Sequence, residues 1–391
     1  MTLIWILIQV LIGYNLVFSF LLYLFSLLKK KKYNTTIFSE SNYDYGIIVT
    51  AYEQTHMLPS VVDSLLKINY SNYHIYIVAD NCDISTLEIL HPRVSVLKPE
   101  MILSNNVKSH FYAINRFNRD HDILTIIDSD NLVHPEYINE LNKFFVQGFD
   151  AVQGRRKAKN LDTQLACLDA ARDNYYNFYD SEVLFKLGSS STLSGSGMAF
   201  KTIVYRECLE SLEVLGAGFD KVLQAQLVKK GYRIAYAPKA IVFDEKTTHS
   251  KQLIGQRSRW INTWFKYVRY GFGLLLMGIK NRSFNQFLFG TNLLRPPLFI
   301  FILLSIICFI LNLFFNPLYS IIWFIAFIIF VFSFFLALKQ QNTSKKIYRS
   351  LSSIPKFIFY QLVSLYYARV ANQQSIATKR PNINKIEYDK G

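Results

Sequence analysis

Residues 123–131 read ILTIIDSDN, an apolar run that stops abruptly at Asp128, Ser129 and Asp130. In a strand, alternate side chains share a face, so Asp128 and Asp130 are expected to project the same way, about 7 Å apart. Two carboxylates held that close repel each other, and each resists ionising. A divalent cation removes the conflict, and a diphosphate can complete its coordination shell. The plain alternative is a solvated strand end, with Asn131 opening a turn.

Upstream the same grammar repeats. GIIVTAY (46–52) is followed by a helical PSVVDSLLKI (59–68), then HIYIVAD (74–80), VSVLKP (94–99) and a helical stretch over 107–118. Downstream of ILTIID, Pro135 and Glu136 open another helix. Short strands alternating with helices predict an α/β domain with a mostly parallel sheet. In such sheets ligands bind beyond the C-terminal ends of the strands. Three strand ends carry polar residues: Thr50, Tyr52 and Glu53; Asp80, Asn81 and Asp83; Asp128 and Asp130. Together they predict a nucleotide pocket. Neither a glycine-rich dinucleotide fingerprint nor a P-loop is present, which removes the main support for dehydrogenase and ATPase readings.

The 391 residues are 51% hydrophobic and 16% aromatic, and the excess is concentrated. Residues 3–28, 298–315 and 318–338 are uncharged apolar runs, the last two separated by Asn316 and Pro317. Each is long enough to cross a hydrocarbon core of about 30 Å as a helix. The first has no basic n-region and no small-residue cleavage site, so it is expected to stay as an anchor. Basic residues follow the first run (29–32, KKKK) and the last (Lys339, Lys345, Lys346, Arg349). The positive-inside rule places 29 to about 295 and the C-terminal tail in the cytoplasm. The expected localisation is the inner or plasma membrane, multi-pass, with the central domain cytoplasmic.

Much of the net charge of +15 lies beside these runs, where anionic headgroups attract it. No nucleic-acid module is visible, so nucleic acid is not an expected partner. The four cysteines form no Cys-x-x-Cys pair, which argues against a zinc site and fits a reducing compartment.

IIVTAY (47–52), IVADNCD (77–83), IIDSDN (126–131), LSGSGMAF (193–200), GFDKVLQAQLVKKGYRIAY (218–236) and QRSRW (256–260) occur in the order found in family 2 glycosyltransferases. The chain resembles the membrane-embedded, processive branch that includes cellulose, chitin, hyaluronan and poly-N-acetylglucosamine synthases. The resemblance spans roughly residues 43–265 and implies a GT-A-like fold with a nucleotide-sugar donor, expected to be a UDP-sugar. It implies that Asp80 contacts the base or ribose, that Lys108 faces the nucleotide, and that Asp128 lies against the nucleoside. Asp130 is then the stronger ligand of a Mg2+ or Mn2+ ion, with Asp128 beside it.

Asp220 falls where the family carries the general base that takes a proton from the acceptor hydroxyl, although Gly218 and Phe219 replace the usual Thr-Glu. Ser196 and Gly197 belong to a loop that lines the acceptor's channel in the family. Gln256, Arg257, Arg259 and Trp260 are implied to hold acceptor and diphosphate. On a helix 256, 259 and 260 share one face. Arg259 supplies planar donors for a departing diphosphate, and Trp260 a flat surface for a sugar ring.

Each position has a structural alternative. These are an Asx-turn at Asp80, a solvated Lys108, a helix N-cap at Asp220, a glycine turn at 193–200, and an ordinary juxtamembrane helix at 256–260. His249 could complete a metal shell or be structural.

The organisation expected is an anchor over 1–28, a catalytic domain over 29–265, interfacial helices over 266–297, two spans within 298–338, and a tail over 339–391. Within that tail, 354–370 is an interfacial helix or a marginal third span. The acceptor is a glycan or a lipid-linked molecule, and a homo-oligomer or an export partner fits the small number of spans. The expected reaction is inverting and metal-dependent extension of a β-linked polysaccharide. Its rivals are one-step transfer to a lipid carrier or short acceptor, and a non-catalytic scaffold of an export complex.

Overall fold

The computed structural model describes residues 2–29, 42–85, 87–214, 216–369 and 371. The basic residues 30–32 and the polar tail from 372 lie outside the described residues.

One eight-stranded sheet organises the centre of the chain. Its strands are β1 (Tyr45–Tyr52), β2 (Tyr73–Asp80), β3 (Val94–Leu97), β4 (Ile123–Asp128), β5 (Leu132–Val133), β6 (Ala151–Ala158), β7 (Met198–Lys201) and β8 (Ile234–Asp244). Their order is β3-β2-β1-β4-β7-β6-β8-β5. β1, β2, β3 and β4 run parallel, as do β6 and β8, whereas β7 is antiparallel to both its neighbours. β1 and β2 are buried almost throughout, which is why they read as continuous apolar runs rather than alternating ones.

Register decides where the polar strand ends fall. Tyr52 pairs with Asp80 and Thr50 with Asp128, so the ends of β2, β1 and β4 lie side by side on one edge. β4 ends at Asp128, and Ser129 and Asp130 form a turn before β5. The two aspartates are therefore not consecutive same-face positions of one strand. Nor is the turn a solvated end. Asn131 is fully buried, and its Nδ2 donates to Ser196 Oγ at 2.7 Å.

A helix over Gln164–Tyr176 continues into a π-helical segment, Asn177–Val183. This stretch ties the sheet domain to the apolar helices. Tyr175 Oη and Ser19 Oγ are 2.8 Å apart, and Tyr179 Oη donates to Ser333 O at 2.8 Å. The apolar helices Thr2–Leu28, Leu298–Phe315 and Pro317–Gln340 are long and apolar enough to cross a membrane. Their own clamp is polar: Asn312 Nδ2 and Trp323 Nε1 both donate to Gln9 Oε1, at 2.6 and 2.9 Å. Hydrogen bonds of this kind fix which faces of apolar helices meet.

Helices Arg269–Lys280 and Phe284–Leu294 form a close hairpin. A Cβ at Gly278 would lie 2.3 Å from Phe287 N, and one at Gly290 2.5 Å from Leu275 N. Phe272, Leu276, Ile279 and Phe284 remain exposed beside Lys280 and Arg282, the composition of an interfacial surface. The segment expected at 354–370 is a helix over Ile354–Tyr367. At 14 residues it is roughly 21 Å long, too short to cross a hydrocarbon core. It lies along helix Ser250–Tyr267 instead, with Ser258 Oγ donating to Ser364 O and Asn262 Nδ2 to Ala368 O, each at 2.9 Å.

His110, on helix Asn106–Ile114, packs edge-on to Phe219, and its Nδ1 lies 2.7 Å from Tyr205 Oη. Burial lowers its pKa to about 3. The unfolded chain therefore takes up this proton below pH about 6.5, while the folded domain refuses it, so stability falls as the pH drops. Between pH 7 and pH 5 His110 alone should cost about 2 kcal/mol. The thermal midpoint in detergent should drop accordingly, and His110→Gln should flatten that pH dependence. An unchanged slope in the variant would refute this.

Candidate active site

A cavity of about 490 Å³ opens at the sheet edge and is lined by Asp128, Asp220, Gln256, Arg257, Arg259 and Trp260, among others. It thus brings together residues that are far apart in sequence. A second, shallower depression of about 460 Å³ lies beyond β2, bounded by Asn81, Asp83, Lys98 and Glu100.

Asp80 is buried, and both carboxylate oxygens are engaged: Oδ1 accepts from Leu103 N at 2.9 Å and Oδ2 from Ser104 N at 2.7 Å. Ser104 Oγ in turn donates to Tyr52 Oη at 3.0 Å. Asp80 and Tyr52 thus organise the loop that borders the shallow depression. Glu53 sits just past β1 at φ 61° and is exposed, with Asn81 Nδ2 3.5 Å from its Oε1. Thr50 is half-buried at the seam with Asp128. Lys108 is exposed on helix Asn106–Ile114 and lines neither cavity, whereas Asn106 from the same turn does line the larger one.

Ser196 and Gly197 sit behind the cavity wall rather than in it. Ser196 Oγ accepts from the Asp128 main-chain N–H at 3.1 Å and so pins the aspartate turn. Gly197 adopts φ +69°, and a Cβ there would come within 2.8 Å of Val242. The lining at this point comes from Ser194 and Gly195. The loop 193–200 thus reaches the cavity through Leu193, Ser194 and Gly195, while Ser196 supports the turn from behind.

Asp220 lies in the first turn of helix Phe219–Lys229, whose N-cap is Gly218 at φ +97°. It is therefore not the cap, and its carboxylate is free to face the cavity, where Oδ2 lies 2.9 Å from Lys221 Nζ. Lys221 also donates to Leu193 O at 2.7 Å.

The departure at Gly218 has a tertiary cause. A Cβ there would lie 2.4 Å from Thr263 Cγ2 and 2.9 Å from Tyr267, on the helix that carries QRSRW. Gly218→Ala should combine left-handed backbone strain with overpacking, destabilising the protein by about 3 kcal/mol and lowering turnover. Thr263→Ser in the same chain should recover part of the loss, because it removes Cγ2 but not the strain. Equal melting temperatures for wild type and Gly218→Ala would disprove it.

Arg257 is only 2% exposed and forms a buried ion pair with Asp169, which also lies 3.4 Å from Arg172 Nε. Arg172 donates to Asp173 at 2.6 Å, and Lys246 bridges Asp173 and Asp244, while Arg156 pairs with Asp244. Burial, together with the Arg172 charge, lowers the Arg257 pKa to about 10. Asp173 is partly buried, yet the surrounding Lys246, Arg172 and Arg156 charges hold it far below the usual carboxylate range. The Trp260 ring lies within 4.1 Å of the Arg257 guanidinium and 4.4 Å of that of Arg172, a cation–π pairing that fixes its plane.

Sequence reading did not single out Asp169, Arg172, Asp173, Asp180, Asp244, Lys246 or Arg295. A signal existed for some of them. Asp169, Arg172 and Asp173 share a helical face at i, i+3 and i+4, and Asp244 ends a strand as Asp80 and Asp128 do.

Among the described residues no group of three or more His, Cys, Asp or Glu side chains could hold a metal alone, and His249 joins none. A pair of carboxylates such as Asp128 and Asp130 fits a cation that takes its remaining ligands from a bound diphosphate.

Comparison with known proteins agrees with this architecture. Residues 43–263, more than half of the chain, match the model of a family described as "Glycosyltransferase like family 2". The mannosyltransferase PcManGT from Pyrobaculum calidifontis, solved with GDP-Man and Mn2+, superposes with a TM-score of 0.53 at 13% identity, over 93% of this chain and 96% of that one. S. aureus TarS 1–349, solved with UDP-GlcNAc, gives a TM-score of 0.39 at 16% identity, over 53% of this chain and 59% of that one. No curated protein matches by sequence. With its GT-A-like α/β sheet and the matched residues 43–263, the chain belongs to the glycosyltransferase-like family 2.

Proposed function

We propose that this chain is an inverting, metal-dependent glycosyltransferase that extends a β-linked glycan at the inner or plasma membrane, with its catalytic domain in the cytoplasm. The carrying observation is the cavity that joins Asp128 and Asp220 to the QRSRW helix and continues to Leu298, Phe299 and Phe301 of an apolar helix.

The nucleoside lies against the Asp80-held loop, in the depression bounded by Asn81 and Lys98. Asp128 and Asp130 are the residues that would hold Mg2+ or Mn2+, and such a cation would supply positive charge to offset that of the leaving diphosphate. The Mn2+ and GDP-Man in the PcManGT structure accord with this donor chemistry. Asp220 takes the acceptor hydroxyl proton, that oxygen bonds to the anomeric carbon, and the carbon–oxygen bond to the nucleoside diphosphate breaks. A single displacement inverts the anomeric centre. Trp260, held by two guanidinium groups, offers the acceptor ring its flat face.

A second reading, one-step transfer to a lipid carrier, draws on the same apolar wall. Nucleotide release by the detergent-purified protein across UDP-sugars and GDP-mannose, with Mn2+ or Mg2+, tests the proposal, and product length separates the two readings. No release with any donor, together with no nucleotide binding, would sink both.

A further inference from the structure

Asp220 stands at the end of a segment whose main chain is permissive. Gly216 and Gly218 both adopt positive φ, 73° and 97°, so the approach to the carboxylate is fixed only as well as its neighbours fix it. Helix Asn106–Ile114 grips this segment at two points. Asn105, the N-cap of that helix, donates from Nδ2 to Val214 O at 2.6 Å. One turn on, the His110 ring packs edge-on to Phe219, with ring centroids 5.0 Å apart. Val214 and Phe219 are both buried. The first grip thus falls just before the glycines and the second just before Asp220.

The same asparagine is continuous with the donor side. Its Oδ1 accepts from Lys108 N at 3.1 Å and caps the helix, and Asn106 beside it lines the larger cavity. Ser104, one residue earlier, is held at φ 46° by its N–H to Asp80 Oδ2 and its Oγ to Tyr52 Oη. Left-handed backbone at a residue other than glycine persists only where the surroundings impose it. Asp80, Ser104, Asn105 and Val214 therefore form one connected run from the loop at the nucleoside depression to the approach to Asp220.

Resting on the transferase reading, we propose that Asn105 is a positioning residue for the reaction. Through Val214 it sets where the Asp220 carboxylate stands relative to a donor held at the Asp80 loop. Asn105 itself lines neither cavity. Its two bonds are chemically separable, because the cap uses Oδ1 as acceptor and the link to Val214 uses Nδ2 as donor. Serine at 105 keeps a capping oxygen, since serine and asparagine cap comparably, but its shorter side chain withdraws the donor from Val214 O. Alanine loses both.

The test compares Asn105→Ser and Asn105→Ala in the full-length protein in detergent. Turnover at saturating donor should fall by about 10- to 100-fold, equally in both, because a displacement of about 1 Å suffices for such a loss. Donor KM should stay unchanged. Melting temperature should separate the two, falling further in Asn105→Ala, which loses the cap as well. Amide exchange with no substrate present gives a second arm. Residues 216–221 should exchange roughly tenfold faster in Asn105→Ser, while helix Asn106–Ile114 keeps its protection.

Turnover that follows melting temperature, nearly intact in Asn105→Ser and lost in Asn105→Ala, would overturn the proposal and leave Asn105 a cap alone. So would a raised donor KM with unchanged turnover, which would assign Asn105 to donor binding. Unaltered exchange over 216–221 beside a loss of turnover would rule out Val214 as the route. In each of these cases the wild-type protein is active and the transferase reading stands. Wild-type protein that transfers no sugar from any donor would reject that reading, and this inference with it.

Discussion

Asp220→Asn should reduce turnover by about 10²–10⁴-fold while leaving nucleotide-sugar affinity and thermal stability close to those of the wild-type protein. The substitution keeps the side chain's shape and removes its basicity. The cap of helix Phe219–Lys229 does not depend on it, because Gly218 occupies that position. Asp220 faces the cavity with Lys221 2.9 Å away, and Lys221 is itself fixed by Leu193 O. This arrangement holds a carboxylate in one place without burying it completely. Single-turnover transfer, measured beside equilibrium donor binding, separates a lost base from a lost binding site. If turnover survives, the proton goes elsewhere in the same cavity, and Asp180 is the next carboxylate to test.

The second large effect concerns the turn at the end of β4. Asp128→Asn with Asp130→Asn should remove the dependence of UDP binding on Mn2+ or Mg2+. Turnover should fall by roughly a thousandfold or more, since a bound cation supplies several kcal/mol at the departing diphosphate. The fold should survive, because the turn is held through main chain and neighbours: the Asp128 N–H donates to Ser196 Oγ, as does Asn131 Nδ2. Ser196→Ala should give a smaller loss of turnover, together with a lower melting temperature, because it leaves two buried donors unpaired. Calorimetric titration of UDP with and without Mn2+ checks the double variant. Metal-dependent binding that persists in it would exclude these two carboxylates as the cation's ligands.

Much of the lining of the candidate cavity can be anticipated from sequence pattern. The strand ends at Asp80 and Asp128 stand out because an apolar run broken by an acid is rare in a buried sheet, and parallel pairing then gathers such ends on one edge. The helical spacing of Gln256, Arg259 and Trp260 likewise survives into the cavity wall. Lys108 shows the limit of pattern. It lies on the expected helix, but the turn of that helix exposes it and offers Asn106 to the cavity instead. Ser196 shows a related limit, since nothing in its own stretch announces that its hydroxyl would bind a turn formed 65 residues earlier.

By itself, then, the sequence determined the local facts: alternating strands and helices, three apolar helices of membrane-crossing length, and acids at strand ends. Those depend on spacing and composition within a few turns of chain. Only the tertiary structure decided which charges meet. Arg257 finds Asp169 across 88 residues, and Arg295 finds Asp180 across 115. The packing of helix Ser250–Tyr267 forces glycine at 218, which in turn frees Asp220 from capping. Such pairings arise from how elements stack around one cavity, and stacking is set by the shape and desolvation of whole surfaces rather than by any local pattern.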